Sequence, residues 1–245
     1  MTLESFLGSL DPLVLVIVAL AGIVRGVTGF GGAMFMAPPL SLLVSPVLAV
    51  IYALALEAVA AVVALPSVWR LLERRTLGLI GIPALFSIPV GGLLLVSLDA
   101  GLIRNLLAVT VMMFSVLLLF GFRYTEPPRR GPAAVVGGIS GLLFGATSMG
   151  GPPVILYLLS GPSRHDVTRA NLMAYISMAS ALALIVPWQT GQLTGSVALN
   201  AVTLTLPYLL GIGIGAKLFA LVDERTFRRL TLAFMFSVST FALLA

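Results

Sequence analysis

Two glycine-rich runs, spaced 119 residues apart, constrain the fold of this chain more than any other feature. The first is GIVRGVTGFGGAMFMAPP at Gly22–Pro39, and four of its glycines recur in the second run. Gly22, Gly26, Gly31 and Gly32 return as Gly141, Gly145, Gly150 and Gly151. The residues between the runs are almost wholly apolar, so both runs are expected at membrane depth. Irregular backbone persists there only where protein buries it or where it lines a cavity. A repeated break of this kind points to a binding site between two halves.

The composition is that of a membrane protein. Of the 245 residues, 59% are hydrophobic and 9% are charged, whereas soluble domains carry about 25% charge. The net charge of +5 is attributed to arginine-rich cytoplasmic loops rather than to nucleic-acid binding. The absence of cysteine excludes disulfides, thiolate metal ligands and a Cys nucleophile. We therefore expect no cofactor, metal or nucleic-acid partner. The N-terminus, MTLESFLGSLDP, lacks the basic residues of a secretory signal.

Six segments fit simple membrane spans, each of which needs about 20 apolar residues. They are residues 46–66, 78–98, 104–122, 168–187, 197–220 and 230–245. The regions 12–45 and 132–162 are longer than one span and are interrupted at their double glycines. Each is predicted to be a re-entrant hairpin, because two full crossings would leave short arms.

The arginine distribution supports the re-entrant hairpins. With them, all but two of the basic residues fall on one face, which the positive-inside rule makes cytoplasmic. These are Arg70, Arg74, Arg75, Arg123, Arg129, Arg130, Arg164, Arg169, Lys217, Arg225, Arg228 and Arg229. Arg104 falls on the opposite face, and Arg25 lies within the first hairpin. If each hairpin region were a single span, the same basic residues would be divided evenly between the two faces of the membrane. Both termini are then predicted to lie outside the cytoplasm.

The duplication continues beyond the hairpins. Trp69 and Trp188 keep the same offset, and after an insertion of five residues the match resumes. Pro83, Gly91, Asp99 and Arg104 then match Pro207, Gly215, Asp223 and Arg228. Each half holds one hairpin and three spans, and an odd number of crossings gives the halves opposite orientations. The sequence therefore predicts an all-α polytopic membrane protein with a single domain over residues 1–245. Its halves, at about 12–122 and about 131–245, form an inverted repeat.

Arg25 and Glu57 are charged residues expected at membrane depth. A buried charge there costs about 2.5–3.5 kcal/mol on insertion scales, so it faces a partner or a cavity. The two side chains either pair to lock the hairpin against the second span, or Arg25 faces an anionic substrate with Glu57 as counter-ion or proton carrier. The second half has no matching acid, because Ile176 occupies the equivalent place.

The hairpin tips offer a second means of binding an anion. Helices that begin just after Gly32 and Gly151 would aim free N–H groups and positive dipole ends at the midplane. Thr28, Thr147 and Ser148 would add hydroxyl donors, and the adjacent spans carry Tyr52, Asn171 and Tyr175. The predicted substrate-binding set is Arg25, Thr28, Gly31, Gly32, Tyr52, Thr147, Ser148, Gly150, Gly151 and Asn171, with Glu57 as the counter-ion or coupling residue.

Two other motifs carry less weight. Gly138-Ile-Ser-Gly141 fits the GxSG of rhomboid-type proteases, but the only histidine, His165, is expected in a cytoplasmic loop, far from a nucleophile that would need it. The Gly211–Gly215 run, GIGIG, follows no strand, so it is interpreted as small-xxx-small helix packing, either within the chain or at a contact between subunits of a homo-oligomer.

The Gly22–Pro38 run, its second copy at Gly141–Pro152 and the duplicated layout resemble the sulfite exporter TauE/SafE family of membrane permeases. The resemblance implies transport of sulfite, a sulfonate or a related organic anion across the inner (plasma) membrane, without catalysis. The second copy, S-M-G-G-P-P, departs from the usual G-x-G-G-G pattern. The alternative hypothesis is an intramembrane enzyme acting on a lipid phosphate or a peptide, but one buried Glu and a remote His provide little acid–base chemistry.

Overall fold

The computed structural model describes residues 11–119, 130–158, 164–218 and 224–244. Within these ranges the side chains of Ser67, Arg130, His165 and residues 224–230 are not described. Predictions about the N-terminal segment as far as Leu10, and about Arg123, Arg129 and Asp223, fall outside the described residues.

The described chain consists of helices and contains no strand. In the first half, α1 is Pro12–Thr28, α2 is Gly32–Leu43, α3 is Pro46–Val68, α4 is Arg74–Ser97 and α5 is Ala100–Leu119, with a 3₁₀ turn at Trp69–Leu71. In the second half, α6 is Arg130–Thr147, α7 is Gly151–Leu158, α8 is His165–Ala183, α9 is Ile185–Gln189, α10 is Gly195–Leu218 and α11 is Glu224–Leu244.

Five helical segments of the described chain are long and apolar enough to cross a membrane. They are Pro46–Pro66, Arg74–Ser97, Ala100–Leu119, Asp166–Gln189 and Gly195–Leu218, and they coincide with five of the six predicted spans. The sixth prediction falls on α11, whose apolar part at Thr231–Leu244 is shorter. The predicted class of an all-α polytopic membrane protein is confirmed.

Both interrupted regions form a long arm followed by a short one. The 12 residues of α2 measure about 18 Å and the 8 described residues of α7 about 12 Å, at 1.5 Å per residue. Neither reaches across a hydrocarbon core of about 30 Å. Short second arms of this kind favour re-entrance over two full crossings.

The breaks have a local cause in the backbone. Gly29 ends α1 in the left-handed conformation, and its N–H donates to the carbonyl of Arg25. At the equivalent position of the second hairpin Ser148 has φ 62°, and its N–H donates to the carbonyl of Phe144. Left-handed backbone ends a helix by satisfying a free carbonyl of the last turn. The two hairpins therefore turn in the same way, although only one of them has glycine at this position.

Glycines allow the first arm of each hairpin to lie against a helix of the other half. α1 packs along α10 where Gly22 and Gly26 face Gly211 and Gly215, and a Cβ added to Gly26 would lie 2.9 Å from the Cα of Gly215. α6 packs along α4, where a Cβ added to Gly91 would lie 3.0 Å from the Cα of Gly145. Contacts this close need small residues on both helices. The Gly211–Gly215 run thus packs within the chain, as the partner of α1.

The next largest contacts join helices in the same position of the two halves. α3 packs against α8, and α5 packs against α11. The two glycine contacts are also equivalent. Gly26 corresponds to Gly145 at the offset of 119, and Gly91 corresponds to Gly215 at the offset of 124. The hairpins and the middle of α3 and α8 consequently meet at the centre of the molecule.

Candidate functional site

An ion pair between Arg25 and Glu57 lies at the centre of the helix bundle. Glu57 is the twelfth of the 23 residues of α3, and Arg25 lies in the last turn of α1. Arg25 Nη1 donates to Glu57 Oε2, and the two residues are 5% and 2% exposed. Burial of two charges is tolerated when they pair and their remaining polar atoms are bonded. The predicted pairing of these two residues is therefore present.

The other carboxylate oxygen of Glu57 accepts two further hydrogen bonds. The Tyr208 hydroxyl of α10 donates to Oε1 at 2.7 Å, and the backbone N–H of Ala33 donates to the same oxygen at 3.2 Å. Ala33 is the second residue of α2, so the positive end of the α2 dipole faces a negative charge. The anion at this helix N-terminus is a side chain of the protein itself.

Gly32 leaves room for this arrangement. A Cβ added to Gly32 would overlap the Tyr208 hydroxyl oxygen and would lie 2.8 Å from Glu57 Oε1. The absence of a side chain at this position lets the hydroxyl and the carboxylate approach the start of α2. Close approach is a common reason for glycine at a site.

A small cavity of about 20 Å³ lies between the two hairpin tips. Such a volume holds little more than one water molecule. The first half contributes the charged side chains of Arg25 and Glu57 to its lining, together with Phe30, Gly31, Ala33 and Met34. Its other side comes from the second half and is mainly apolar; it contains Phe144, Ser148, Met149, Gly151, Pro152 and Ile176.

The charges at this cavity occur in one half only. At the offset of 119 residues, Phe144 is the equivalent of Arg25, and Ile176 is the equivalent of Glu57. Both apolar residues line the same cavity as the charged pair. Equivalent positions of the two halves thus contribute a charged pair from the first half and two apolar side chains from the second.

The start of α7 presents fewer donors than the start of α2. Pro152 and Pro153 are its second and third residues, and proline has no N–H. The carbonyl of Gly150 accepts a hydrogen bond from the Ser140 hydroxyl. The same hydroxyl lies 2.7 Å from the Tyr175 hydroxyl. The N-terminus of α7 therefore offers fewer backbone N–H donors than that of α2, whereas two similar N-termini were expected.

The predicted hydroxyl donors lie at the breaks and contact backbone carbonyls. Thr28 donates to the carbonyl of Val24 at 2.8 Å and Thr147 to that of Leu143 at 2.7 Å, both one turn earlier. The Ser148 hydroxyl lies 2.5 Å from the carbonyl of its neighbour Thr147. Of the three, Ser148 lines the cavity.

Tyr52 and Asn171 lie away from the cavity. The Tyr52 hydroxyl accepts from Asn200 Nδ2 at 3.1 Å, near the start of α10. Asn171 Oδ1 accepts from the N–H of Glu73 at 2.9 Å, just before α4. Each residue therefore contacts the beginning of a long helix, and the structure does not bring them together with Arg25.

A larger groove of about 480 Å³ opens between α3, α4 and α8. Trp69, Leu72 and Arg74 line its outer part, and Tyr175 and Met178 lie on its α8 side. The ring of Tyr175 packs edge-to-face on Phe144 with centroids 6.2 Å apart. Because Phe144 lines the central cavity, this aromatic pair separates the groove from the cavity.

Several residues of the site were missed from the sequence, and Tyr208 and Phe144 are the two that bear on its chemistry. Tyr208 is a polar residue in the middle of α10, and that position was the available signal. Phe144 carried no signal beyond its equivalence to Arg25. Within the described residues no group of three His, Cys, Asp or Glu side chains is placed to hold a metal.

Comparison with known protein families identifies one that covers this chain. The family model described as sulfite exporter TauE/SafE matches residues 14–242, nearly the whole chain. No curated protein and no solved structure matched. Members of the matched family are membrane permeases rather than enzymes. Because this match covers nearly the whole chain, the chain is a member of the sulfite exporter TauE/SafE family.

Proposed function

We propose that this protein is a secondary transporter of a small anion, which binds between the two hairpin tips. Arg25 is the positive partner of the substrate, and Glu57 is the counter-ion of Arg25 when no substrate is bound. One observation carries the proposal: a buried Arg–Glu pair lines a cavity at mid-length of the spanning helices.

A purely structural role would account less well for this placement. Ionisable residues inside a membrane are costly, and they mark substrate pathways when they face a cavity. Arg25 and Glu57 join α1 to α3, and both also line the cavity. A guanidinium also suits an oxyanion, because it donates two parallel hydrogen bonds.

The two sides of the cavity indicate the class of anion. A substrate with a charged head would place it near Arg25 and the start of α2, where Ala33 and Met34 line the cavity. A short apolar body would lie against Phe144, Met149 and Ile176. A sulfonate or another small organic anion fits this division better than sulfite alone, and the family favours a sulfur-containing head.

Alternating access requires the cavity to enlarge, because it now holds little more than one water molecule. We propose that the two halves form an inverted repeat and rock against each other at the hairpins. The reciprocal packing of α1 with α10 and of α6 with α4 supports this relation. The groove beside Trp69 would be one approach, closed here by Phe144 and Tyr175.

Flux measurements in proteoliposomes test the proposal. The parent protein is expected to move a small sulfonate, whereas Gly32→Val and Gly151→Val are expected to block it, since both substitutions fill the region of the tips. Gly213→Ala is the matched control, because a Cβ there meets no atom within 4 Å. Normal flux in both valine variants would rule out a site between the tips, and product formation from the substrate would favour an enzyme.

A further inference from the structure

The carboxylate of Glu57 already occupies an anion-binding position. The Arg25 guanidinium, the Tyr208 hydroxyl and the Ala33 N–H all donate to it, and they come from α1, α10 and the start of α2. These donors are of the kinds that would bind an oxyanion substrate. A substrate that approaches Arg25 through the cavity must therefore compete with Glu57 for the same donors.

Charge also limits simultaneous binding. Arg25 and Glu57 together are neutral, so an added monovalent anion would leave one net negative charge among buried helices. Like charges this close disfavour ionisation of one of them. Protonation of Glu57 removes the excess charge and also releases the donors from the carboxylate.

In the described structure, Arg25 and Tyr208 are the ionisable groups that contact Glu57 from the helices packed around it. α1 contributes Arg25 and α10 contributes Tyr208, whereas the cavity wall from α6 to α8 contributes Phe144, Ser148 and Ile176. α8 carries Asp166 and Arg169 in its first turns, with the Arg169 guanidinium beside Gly29, and its Tyr175 hydroxyl lies 2.7 Å from that of Ser140. Arg104 of α5 donates to the carbonyl of Ser41 at 3.4 Å. Glu57 is therefore the group on which a proton can compensate the substrate charge.

We infer that Glu57 is a built-in competitor of the substrate and couples transport to protons, so that one proton crosses with each monovalent anion. In the empty protein the ionised carboxylate holds Arg25. In the loaded protein Glu57 is protonated and the anion holds Arg25, and no other charge change is needed. This inference rests on the proposed function and adds the coupling ion to it.

Binding and flux of methanesulfonate test the inference, because this anion stays ionised between about pH 5 and 8. Where Glu57 is ionised in the empty protein, linkage predicts that the Kd falls about tenfold for each unit by which the pH is lowered. In proteoliposomes with a trapped pH dye, we expect about one proton per anion and no change of rate under an imposed K⁺ diffusion potential.

Glu57→Gln removes the titrating group and keeps the shape of the side chain. Purified with methanesulfonate present, it is expected to bind the anion with a Kd that does not change with pH and to move the anion without protons. Asp99→Asn is the matched control: Asp99 accepts from the N–H of Leu102 at 2.9 Å, outside the site, and asparagine caps a helix equally well. This control should keep proton-coupled flux.

The outcomes separate the inference from the function on which it rests. Anion flux in the parent protein without proton movement, or a Kd independent of pH, would overturn the coupling and leave the transporter intact. No anion flux at all would overturn the proposed function. If Glu57→Gln does not fold, the pH series and the proton count on the parent protein still decide.

Discussion

Tyr208 donates a 2.7 Å hydrogen bond to Glu57, although the two residues are 151 positions apart. Glu57 belongs to the first half of the chain and Tyr208 to the second. The carboxylate that pairs with Arg25 is therefore oriented by a helix of the other half. Movement of α10 relative to α3 would change the donors available at the site.

Loss of the Tyr208 hydroxyl should lower stability more than loss of a similar hydroxyl elsewhere. Hydrogen bonds to charged groups contribute about 1.5–3 kcal/mol, whereas neutral ones contribute about 0.5–1.5 kcal/mol. Tyr208→Phe is therefore expected to lower the melting temperature in detergent further than Tyr52→Phe, which loses its contact with neutral Asn200. Equal melting temperatures would indicate that the Tyr208 contact contributes little.

Removal of Arg25 should destabilise the protein by leaving Glu57 buried and unpaired. Loss of one partner of a buried pair costs about 3–5 kcal/mol. Arg25→Gln combined with Glu57→Gln removes both charges and is expected to recover most of the folded yield, measured by size-exclusion chromatography. It should show no thermal stabilisation by methanesulfonate, because the substrate's positive partner is gone. Anion-dependent stabilisation of this double variant would show that Arg25 serves structure alone.

The two double glycines should respond differently to a single methyl group. Gly32→Ala places a Cβ on the Tyr208 hydroxyl oxygen, and overpacking of this kind costs about 1–3 kcal/mol. A Cβ on Gly151 would lie 3.5 Å from Ile176 Cδ1, an ordinary contact. Thermal unfolding of the two variants should therefore show the larger loss for Gly32→Ala. The reverse order would contradict the close packing of Tyr208 on α2.

Packing between α1 and α10 should depend on which glycine of α10 is replaced. Gly215→Ala would push a methyl group against the carbonyl of Ile23 and the Cα of Gly26, whereas Gly213 faces open space. We expect Gly215→Ala to destabilise by about 1–3 kcal/mol. Gly213→Ala should be neutral or slightly stabilising, because alanine favours helix more than glycine does. Similar melting temperatures would argue against the α1–α10 contact.

The orientation of the chain can be read from single cysteines, since the natural sequence has none. With two re-entrant hairpins, Glu73→Cys and Arg164→Cys should react with an impermeant maleimide from the cytoplasm only. Gln192→Cys, in the turn before α10, should react from outside. Labelling of Arg164→Cys from outside would mean that the second hairpin region crosses the membrane.

The sequence determined the features that arise locally. Spans 46–66 and 197–220 follow from uninterrupted apolar runs, and the breaks near Gly31 and Gly150 follow from the glycine-rich runs, which favour irregular backbone. The pairing of Arg25 with Glu57 was also accessible, because two opposite charges among apolar residues have few other partners. The positions of these features could therefore be predicted without knowing how the helices pack.

Tertiary structure decided which side chains face the cavity. Helix α8 turns Ile176 toward the cavity and Asn171 toward the N–H of Glu73, and α10 turns Tyr208 toward Glu57. Those directions depend on the rotation and crossing of packed helices, which a nearly uniform apolar sequence leaves open. The sequence by itself thus determined where the chain breaks and where its buried charges lie. Only the packing of the two halves decided that an apolar wall from the second half faces the ion pair of the first.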